Sequence, residues 1–364
     1  MNRRCFLSSL AGFGAVPLLG TGDDTDAQFT RRAKYWKPLE DKRIACTLCP
    51  RACEVADRER GYCGVRENVE GVYSTLVYGR AVAAHVDPIE KKPLFHFLPA
   101  TTAFSIATTG CNMECKFCQN WDISQFRPEQ VKSADLLPAA VAATAKDRSC
   151  ASIAYTYSEP VIFYEYMLDS AIEGRTRGLR SVMISNGYIL KEPLMELLPR
   201  LDAVKVDLKA FTDTFYRELC AGTLQPVLDA LRWIKEQGTW LEIVDLILPG
   251  QNDAEGEIRA LSQWVVRELG PEVPVHFSQF HPTYRITNLP RTPVSTLERC
   301  YRVAKETGLH FVYLGNVPGL GYEDTSCPGC GATLIRRMGF TILSNTLKGG
   351  ACPSCGRTIP GVWS

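Results

Sequence analysis

Residues 104–121 read FSIATTGCNMECKFCQNW, and this stretch decides the fold. It begins with a short apolar run, Phe104 to Thr108, that predicts a buried β-strand. Cys111, Cys115 and Cys118 follow in the pattern Cys-x3-Cys-x2-Cys. Because α/β barrels and sheets place their active sites at the carboxyl ends of the strands, these three cysteines lie where a reactive centre is expected.

Outward from this stretch, strand and helix patterns alternate along the chain. Six more apolar runs predict strands, at 152–157, 182–185, 203–207, 241–248, 275–280 and 311–314. Helical periodicity predicts helices at 133–146, 161–177, 226–237, 253–269 and 295–307, with Ser133 and Asp253 as two of the N-caps. The alternation predicts an α/β fold, a partial parallel (β/α) barrel that is one strand short of a complete eightfold barrel.

Composition and charge narrow the class of protein. The 364 residues are 45% hydrophobic and 22% charged, which suits a large globular chain and excludes a disordered one. The formal net charge is +1, so no global field attracts the chain to nucleic acid or to an anionic membrane. The chemistry is therefore expected at local sites.

Cysteine is the outlier of the composition, with 15 residues. Eleven of them fall into three tight groups, whereas Cys5, Cys150, Cys220 and Cys300 stand alone. A disulfide framework is typical of small secreted domains, and this chain is large. The grouped cysteines therefore predict metal ligation.

The last group forms two similar knuckles in a C-terminal segment predicted at 325–364. Each knuckle is a Cys-x2-Cys pair, and the four residues are Cys327, Cys330, Cys352 and Cys355. This pattern is typical of a zinc ribbon, in which four thiolates close the site around one ion. We expect a structural zinc ion here; a redox dithiol is the alternative.

The first group lies in a cysteine-rich region predicted at 35–99. Its members are Cys46, Cys49, Cys53 and Cys63. Four cysteines suit either zinc or a second iron–sulfur cluster, and the spacing alone does not decide between them. The same region predicts a β-hairpin of 72–78 and 81–86 that turns at 79–80.

The amino terminus, 1–27, has the profile of a signal segment. Arg3 and Arg4 precede an apolar run, Leu7 to Leu19, whose 13 residues are fewer than a membrane span needs. The arginine pair resembles the twin-arginine signal, whose pathway exports folded, cofactor-loaded proteins. We exclude this segment from the fold and expect no stable membrane span.

The three cysteines that follow the first strand suit one particular cofactor. Three thiolates can ligate three irons of a four-iron cluster and leave the fourth without a protein ligand. A structural zinc site would need a fourth cysteine, which would have to come from elsewhere in the fold, such as Cys150. The motif, with an aromatic residue before its last cysteine, resembles the signature of the radical S-adenosylmethionine (SAM) superfamily.

The resemblance implies a cofactor pair and a reaction. Cys111, Cys115 and Cys118 would bind a [4Fe-4S] cluster, and its open iron would bind SAM. Reductive cleavage of SAM would then yield a 5′-deoxyadenosyl radical that abstracts a substrate hydrogen atom. The cofactors carry this chemistry, while the protein supplies orientation and excludes water.

Residues at the ends of the later strands match the same family. The resemblance implies that Glu159 contacts the methionyl amino group of SAM, that Ser185 and Asn186 lie near its carboxylate or ribose, and that Asp207 and Lys209 pair with its charged and hydroxyl groups. Each has a plain structural alternative: Glu159 as a helix cap, the Asn-Gly pair as a turn, and Asp207 with Lys209 as a charge pair.

Two further features lie farther along the barrel. Residues 246–253 resemble the family stretch that closes over adenine, with a strand-turn-helix junction as the alternative reading. His276 and His281 cluster with Gln279 and Tyr284 around the end of the sixth strand, and they are the candidates for a catalytic role on the substrate. A bystander histidine is the alternative for each.

One branch of the superfamily shares more than the cysteine motif. Residues 46–68, 87–94 and 117–121 resemble the radical SAM enzyme of the AmmeMemoRadiSam system, which is related to pyruvate formate-lyase activating enzyme. The resemblance implies a barrel of the radical SAM type at 100–320, a low-potential electron donor, and Memo-like and AMMECR-type partner proteins.

Two other functions stay open at this point. One is an activating enzyme that installs a glycyl radical on another protein, and the other is a non-catalytic iron–sulfur or zinc scaffold or electron carrier. We expect function in the cytoplasm, because SAM and low-potential electrons are found there; export by the twin-arginine pathway is the alternative.

Overall fold

The computed structural model describes residues 29–364, so the predicted signal segment lies outside the described residues. Within that part of the chain, no helix has both the length and the apolar character that crossing a bilayer requires. The helices are α1 (Trp121–Ser124), α2 (Pro138–Asp147), α3 (Tyr164–Thr176), α4 (Lys191–Leu197), α5 (Asp213–Phe215), α6 (Gln225–Glu236), α7 (Glu255–Glu268) and α8 (Val294–Glu306).

Between residues 29 and 364, the strands form one large sheet and four small ones. They are β1 (Arg31–Arg32), β2 (Trp36–Pro38), β3 (Ile44–Cys46), β4 (Glu54–Val55), β5 (Arg66–Val69), β6 (Val72–Thr75), β7 (Arg80–Ala81), β8 (Ala83–Pro88), β9 (Thr102–Ala107), β10 (Ala134–Asp135), β11 (Ser152–Tyr155), β12 (Arg180–Ser185), β13 (Ala203–Asp207), β14 (Trp240–Ile247), β15 (Val275–Gln279), β16 (Val312–Gly315), β17 (Thr325–Ser326), β18 (Thr333–Met338) and β19 (Thr341–Asn345).

The large sheet has eight strands in the order β16-β15-β14-β13-β12-β11-β9-β8. Seven of them, from β9 to β16, run parallel, and β8 is antiparallel to β9. These seven are the seven strands that the apolar runs predict. Helices cover the outside, so the strands are buried on both faces, and all the parallel strands end at one rim. The α/β fold with a mostly parallel sheet is confirmed.

The predicted hairpin of 72–78 and 81–86 is wrong. β6 pairs with β5, whereas β8 pairs along its whole length with β9, from Ala83 opposite Ala107 to Pro88 opposite Thr102. The sequence pattern locates both strands but not their partners. The open edge of β9 offers β8 a longer ladder than β6 could, because β6 has only four residues.

Two predicted N-caps are also wrong. Ser133 precedes β10, and α2 begins five residues later at Pro138, a residue that suits the first position of a helix. Asp253 does not cap α7, which begins at Glu255. The Asp253 carboxylate accepts a hydrogen bond from the Gly250 N–H at 2.8 Å and closes the preceding turn.

The amino ends of the parallel strands are sealed. Phe97 forms a bridge with Val362, and the His96 ring bonds the carbonyl of Pro360 at 2.7 Å and the Tyr313 hydroxyl at 2.6 Å. Apolar side chains from 89–98 pack there against small residues of the sheet. Because this floor is closed, the interior of the partial barrel opens at the carboxyl ends of the strands.

Candidate active site

A cavity of about 470 Å³ lies at the carboxyl ends of the parallel strands. Eight residues that the sequence singles out all line it, although they come from four separate loops of the chain. They are Cys111, Cys115, Cys118, Glu159, Ser185, Asn186, Asp207 and Lys209. The parallel sheet brings these loops together because every strand ends at the same rim.

The loop after β9 holds the three cysteines half-buried at the cavity wall. The Met113 N–H donates to Cys111 Sγ at 3.4 Å, and Cys118 Sγ lies 3.1 Å from the Ser124 hydroxyl oxygen. Burial raises the pKa of Cys111 and Cys118, and these hydrogen bonds oppose that shift in favour of the thiolate, which is the form that binds iron. The loop is therefore suited to metal ligation.

A fourth cysteine lies behind this loop. Cys220 is fully buried in the π-helical segment 216–220, and its thiol donates a hydrogen bond that lowers the pKa of Cys115. Cys220 does not line the cavity. Among residues 29–364, no third cysteine, histidine or carboxylate joins Cys115 and Cys220 within 4.8 Å, so the group does not form a one-ion site. The three cysteine side chains of the loop fit the donor set of an iron–sulfur cluster, which they would hold at the cavity wall.

Glu159 follows β11 and is buried beneath the cavity surface. Its carboxylate accepts hydrogen bonds from the Ser185 hydroxyl at 2.7 Å, the Asn186 N–H at 2.8 Å and the Val161 N–H at 3.1 Å. Burial raises its pKa to about 7, although these hydrogen bonds oppose the shift. The bond to Val161 caps the 3-10 turn 160–163, so the helix-cap alternative holds for one oxygen.

Asn186 connects the third strand end to the cysteine loop. Its side-chain N–H group donates to Asn112 Oδ1 at 2.9 Å and lies 3.9 Å from Cys111 Sγ, while its Oδ1 accepts from the Tyr188 N–H at 2.8 Å. The turn that follows is made by Gly187, whose φ is +71°. The turn reading of the Asn-Gly pair is therefore correct, and Asn186 contacts the cysteine loop as well.

Asp207 at the end of β13 lies between two lysines. Lys205 Nζ and Lys209 Nζ are 2.5 Å and 3.1 Å from its carboxylate oxygens. Burial opposes ionisation of Asp207, but the two ammonium groups outweigh it and lower its pKa to about 2. Asp207 and Lys209 thus form the charge pair that the alternative reading predicts. Together with Lys205 they line the cavity as one charged group.

The stretch 246–253 holds the backbone of Lys209 in position through Asn252. Asn252 is buried, and its side-chain amide donates to the carbonyls of Lys209 at 2.9 Å and Leu246 at 3.0 Å. Its Oδ1 accepts from the Leu248 N–H at 2.7 Å. The structure therefore gives the asparagine a positioning role toward Lys209.

The two candidate histidines are not brought to the cavity. His276 is buried in the barrel interior, where its Nε2 lies 2.8 Å from Glu242, and His281 is exposed on the loop after β15. Ser278 is the residue of β15 that lines the cavity. His276 shares its face of the strand but lies two residues, about 6.6 Å, farther from the rim.

Four polar residues of the cavity are not among the predicted site residues: Lys91, Lys92, Tyr157 and Lys205. Lys91, Lys92 and Tyr157 line it, and all three bond the carboxylate of Asp87, with the lysine distances at 2.8 Å and 2.6 Å. Lys205 was missed because it lies inside a predicted strand. The end of β8 gave no signal for the two lysines, because β8 is antiparallel to β9 and its carboxyl end lies away from the rim.

The C-terminal cysteines form a compact cluster. Cys327 and Cys355 have their sulfurs 3.6 Å apart, Cys330 and Cys352 3.7 Å apart, and all four sulfurs lie within 4.8 Å of one another. A zinc ion with Zn–S bonds of about 2.3 Å in a tetrahedron holds its sulfurs about 3.8 Å apart. The observed spacing fits one tetrahedral ion without an open position.

Comparison with known proteins gives the same family for the barrel. Residues 105–261 match the radical SAM superfamily. The chain is 44% identical to uncharacterized protein MJ0808 of Methanocaldococcus jannaschii over 331 residues, which are 90% of this chain and 98% of that protein.

Solved structures with a similar fold are more distant in sequence. A radical SAM methyltransferase from Sphaerobacter thermophilus is 17% identical, with a TM-score of 0.48, and the match covers 65% of this chain and 71% of that one. A domain of pyruvate-formate lyase-activating enzyme from Bacteroides vulgatus is 16% identical, with a TM-score of 0.41, and covers 45% of this chain and 99% of that one.

Proposed function

The chain belongs to the radical SAM superfamily, and on that premise we propose that it binds a [4Fe-4S] cluster through Cys111, Cys115 and Cys118 and cleaves SAM reductively. One observation carries this proposal: the three cysteines and the polar groups of three other strand ends line one cavity. When bound, the cluster and SAM supply a 5′-deoxyadenosyl radical that abstracts hydrogen from a substrate.

The residues of this chain then bind and orient SAM. Glu159 accepts the ammonium group with a carboxylate that Ser185 and Asn186 already hold in place. Lys209 and Lys205 offer ammonium donors to the SAM carboxylate, and Asp207 keeps both charged and fixed. The sealed barrel floor keeps water away from the inner end of the cavity.

An anaerobic cleavage assay tests the proposal. Reduced, reconstituted protein should form 5′-deoxyadenosine from SAM, and Cys115→Ala should abolish it because a cluster ligand is lost. Cys150→Ala is the matched control, since Cys150 is buried before β11, at the opposite ends of the strands. Equal 5′-deoxyadenosine from wild type and Cys115→Ala would show that the cysteine loop has no role in cleavage.

Within the superfamily, we propose a place in the AmmeMemoRadiSam system, with Memo-like and AMMECR-type partners and a low-potential electron donor. The support is the resemblance of residues 87–94, three of which, Lys91, Lys92 and Pro93, line the cavity. Incubation of the reduced enzyme with each partner in deuterated water, followed by mass spectrometry for non-exchangeable deuterium in the polypeptide or in a small molecule, tests it. A new glycyl radical on a partner protein would favour the activating-enzyme function instead.

The remaining proposals concern metal and location. We propose zinc at the C-terminal cysteines, since their sulfur spacing fits that ion. We also propose that the protein works in the cytoplasm, where SAM and low-potential electrons are available. Fractionation of the tagged protein tests the location, and recovery outside the cytoplasm would support twin-arginine export.

A further inference from the structure

The N-terminal cysteines converge in space although they are spread over 18 positions of the chain, from 46 to 63. Cys46 ends β3, and its N–H donates to the Cys53 carbonyl at 2.8 Å, which closes the knuckle between them. A Cβ atom at Gly61 would lie 3.9 Å from Cys53 Sγ, so the segment that carries Cys63 passes beside Cys53. Cys46 and Cys49 are buried, and the other two are half-buried.

Cys53 Sγ has a backbone amide donor. The Tyr62 N–H donates to it at 3.4 Å, as the Met113 N–H does to Cys111 Sγ in the cavity loop. Cys63 directly follows Tyr62, so this hydrogen bond also holds Cys53 close to Cys63. Four cysteines that are buried or half-buried and held together in this way form a ligand set for a metal centre.

The spacing of the sulfurs distinguishes one metal ion from a cluster. The C-terminal group sets the internal standard for one ion, with paired sulfurs at 3.6 Å and 3.7 Å. Among residues 29–364, it is also the one group in which three or more cysteine, histidine or carboxylate ligand atoms lie within 4.8 Å of one another. The N-terminal cysteines, like Cys111, Cys115 and Cys118, are more widely spaced. Wider spacing suits ligands that bind different irons of one cluster.

We propose that Cys46, Cys49, Cys53 and Cys63 ligate a second iron–sulfur cluster. It would lie directly against the cysteine loop of the cavity, because Cys63 and Cys111 line the same small cavity of about 170 Å³. Arg51 ties the two regions together: its Nε–H donates to the Asn112 carbonyl at 2.8 Å. This site needs no SAM chemistry at the neighbouring loop, so it stands apart from the proposed function.

A variant that lacks the first cluster tests the proposal without touching the new site. C111A/C115A/C118A protein is reconstituted anaerobically, and iron, acid-labile sulfide and zinc per chain are measured together with the visible and Mössbauer spectra. The variant should retain iron and sulfide, at roughly half the wild-type content if both clusters have four irons. Adding Cys46→Ala and Cys63→Ala should remove the remaining iron, and Cys150→Ala on the same background should retain it.

Two results would overturn the proposal. One is a folded C111A/C115A/C118A variant without iron and sulfide, and the other is a variant that carries two zinc ions and no iron. Circular dichroism establishes that the variant is folded. Failure here leaves the SAM cleavage assay of the wild type unaffected, while a failed cleavage assay leaves the iron content of this variant unchanged, so the two proposals are separately testable.

Discussion

Gly110, the residue before Cys111, fixes how the N-terminal cysteine region meets the cavity loop. Its φ is +99°, and a Cβ atom at this position would lie 2.6 Å from Val65 Cγ1 and 3.0 Å from the Cys63 carbonyl oxygen. A side chain in this backbone region costs roughly 1–2 kcal/mol. Forcing a methyl group against a branched side chain and a carbonyl costs roughly 1–3 kcal/mol more. Gly110→Ala should therefore destabilise the protein by roughly 2–5 kcal/mol.

The matched control is Gly178→Ala. Gly178 has a φ of +72°, but a Cβ atom there would have no neighbour within 4 Å. It carries the backbone cost alone, and the entropy that alanine removes from the unfolded chain is the same in both variants. Anaerobic urea unfolding measures the difference, and iron content after reconstitution shows whether the loop still binds its cluster. Equal losses of stability in the two variants would show that the regions are not in firm contact.

Three further outcomes follow from buried and clustered groups. Burial lowers the pKa of His96 from 6.5 to about 4. The contribution of His96 to folding stability should therefore be complete above pH 6.5 and fall by roughly 3 kcal/mol as the pH drops toward 4. Urea unfolding measures this fall, and an equally steep fall in His96→Gln would contradict the prediction. Arg66→Met should lower the free energy of unfolding by about 3–5 kcal/mol, because the buried carboxylate of Glu165, 2.5 Å from the Arg66 guanidinium, would lose its ion-pair partner. Removing the exposed Arg267, which pairs with Glu268, should lower the free energy of unfolding by under about 1 kcal/mol. Equal losses of stability in the Arg66 and Arg267 variants would refute this prediction. Cys330→Ser should lose the C-terminal zinc and lower the melting temperature, and zinc retained at the wild-type level would exclude that site.

The sequence could predict the parallel strands because strands that are buried on both faces leave continuous apolar runs. The run 241–248, for example, becomes β14 at Trp240–Ile247. It could not predict the partner of β8, because which sheet edge is open depends on the whole fold. The caps at Ser133 and Asp253 failed for a related reason: local preference is weak, and tertiary contacts override it.

The residues of the candidate site could also be predicted only in part. Glu159, Asn186 and Asp207 could be predicted to share a rim because each lies at or just after the end of a predicted parallel strand. The depth of a side chain below that rim could not be predicted, and this is why His276 was placed at the cavity. The pairing of Lys205 with Asp207 was within reach, since residues two apart in a strand share a face and Lys205 lies two residues before Asp207.

The barrel interior holds buried charges at two depths, and the arrangement explains how a polar cavity can have a dry floor. At the lower level, Glu242 accepts hydrogen bonds from the N–H groups of Phe95 and His96 at 3.0 Å and 2.8 Å and lies 2.8 Å from His276. The two N–H groups belong to the segment that seals the barrel, and the Trp240 indole N–H donates to the same carboxylate at 3.0 Å, so the carboxylate needs no water. At the upper level, Asp207 satisfies two lysines but leaves part of each ammonium group facing the cavity. The carboxylate of Glu242 is fully paired, whereas the lysines around Asp207 are only partly paired. Solvent and ligands are therefore confined to the upper level, because an unpaired charge at the floor would draw water in.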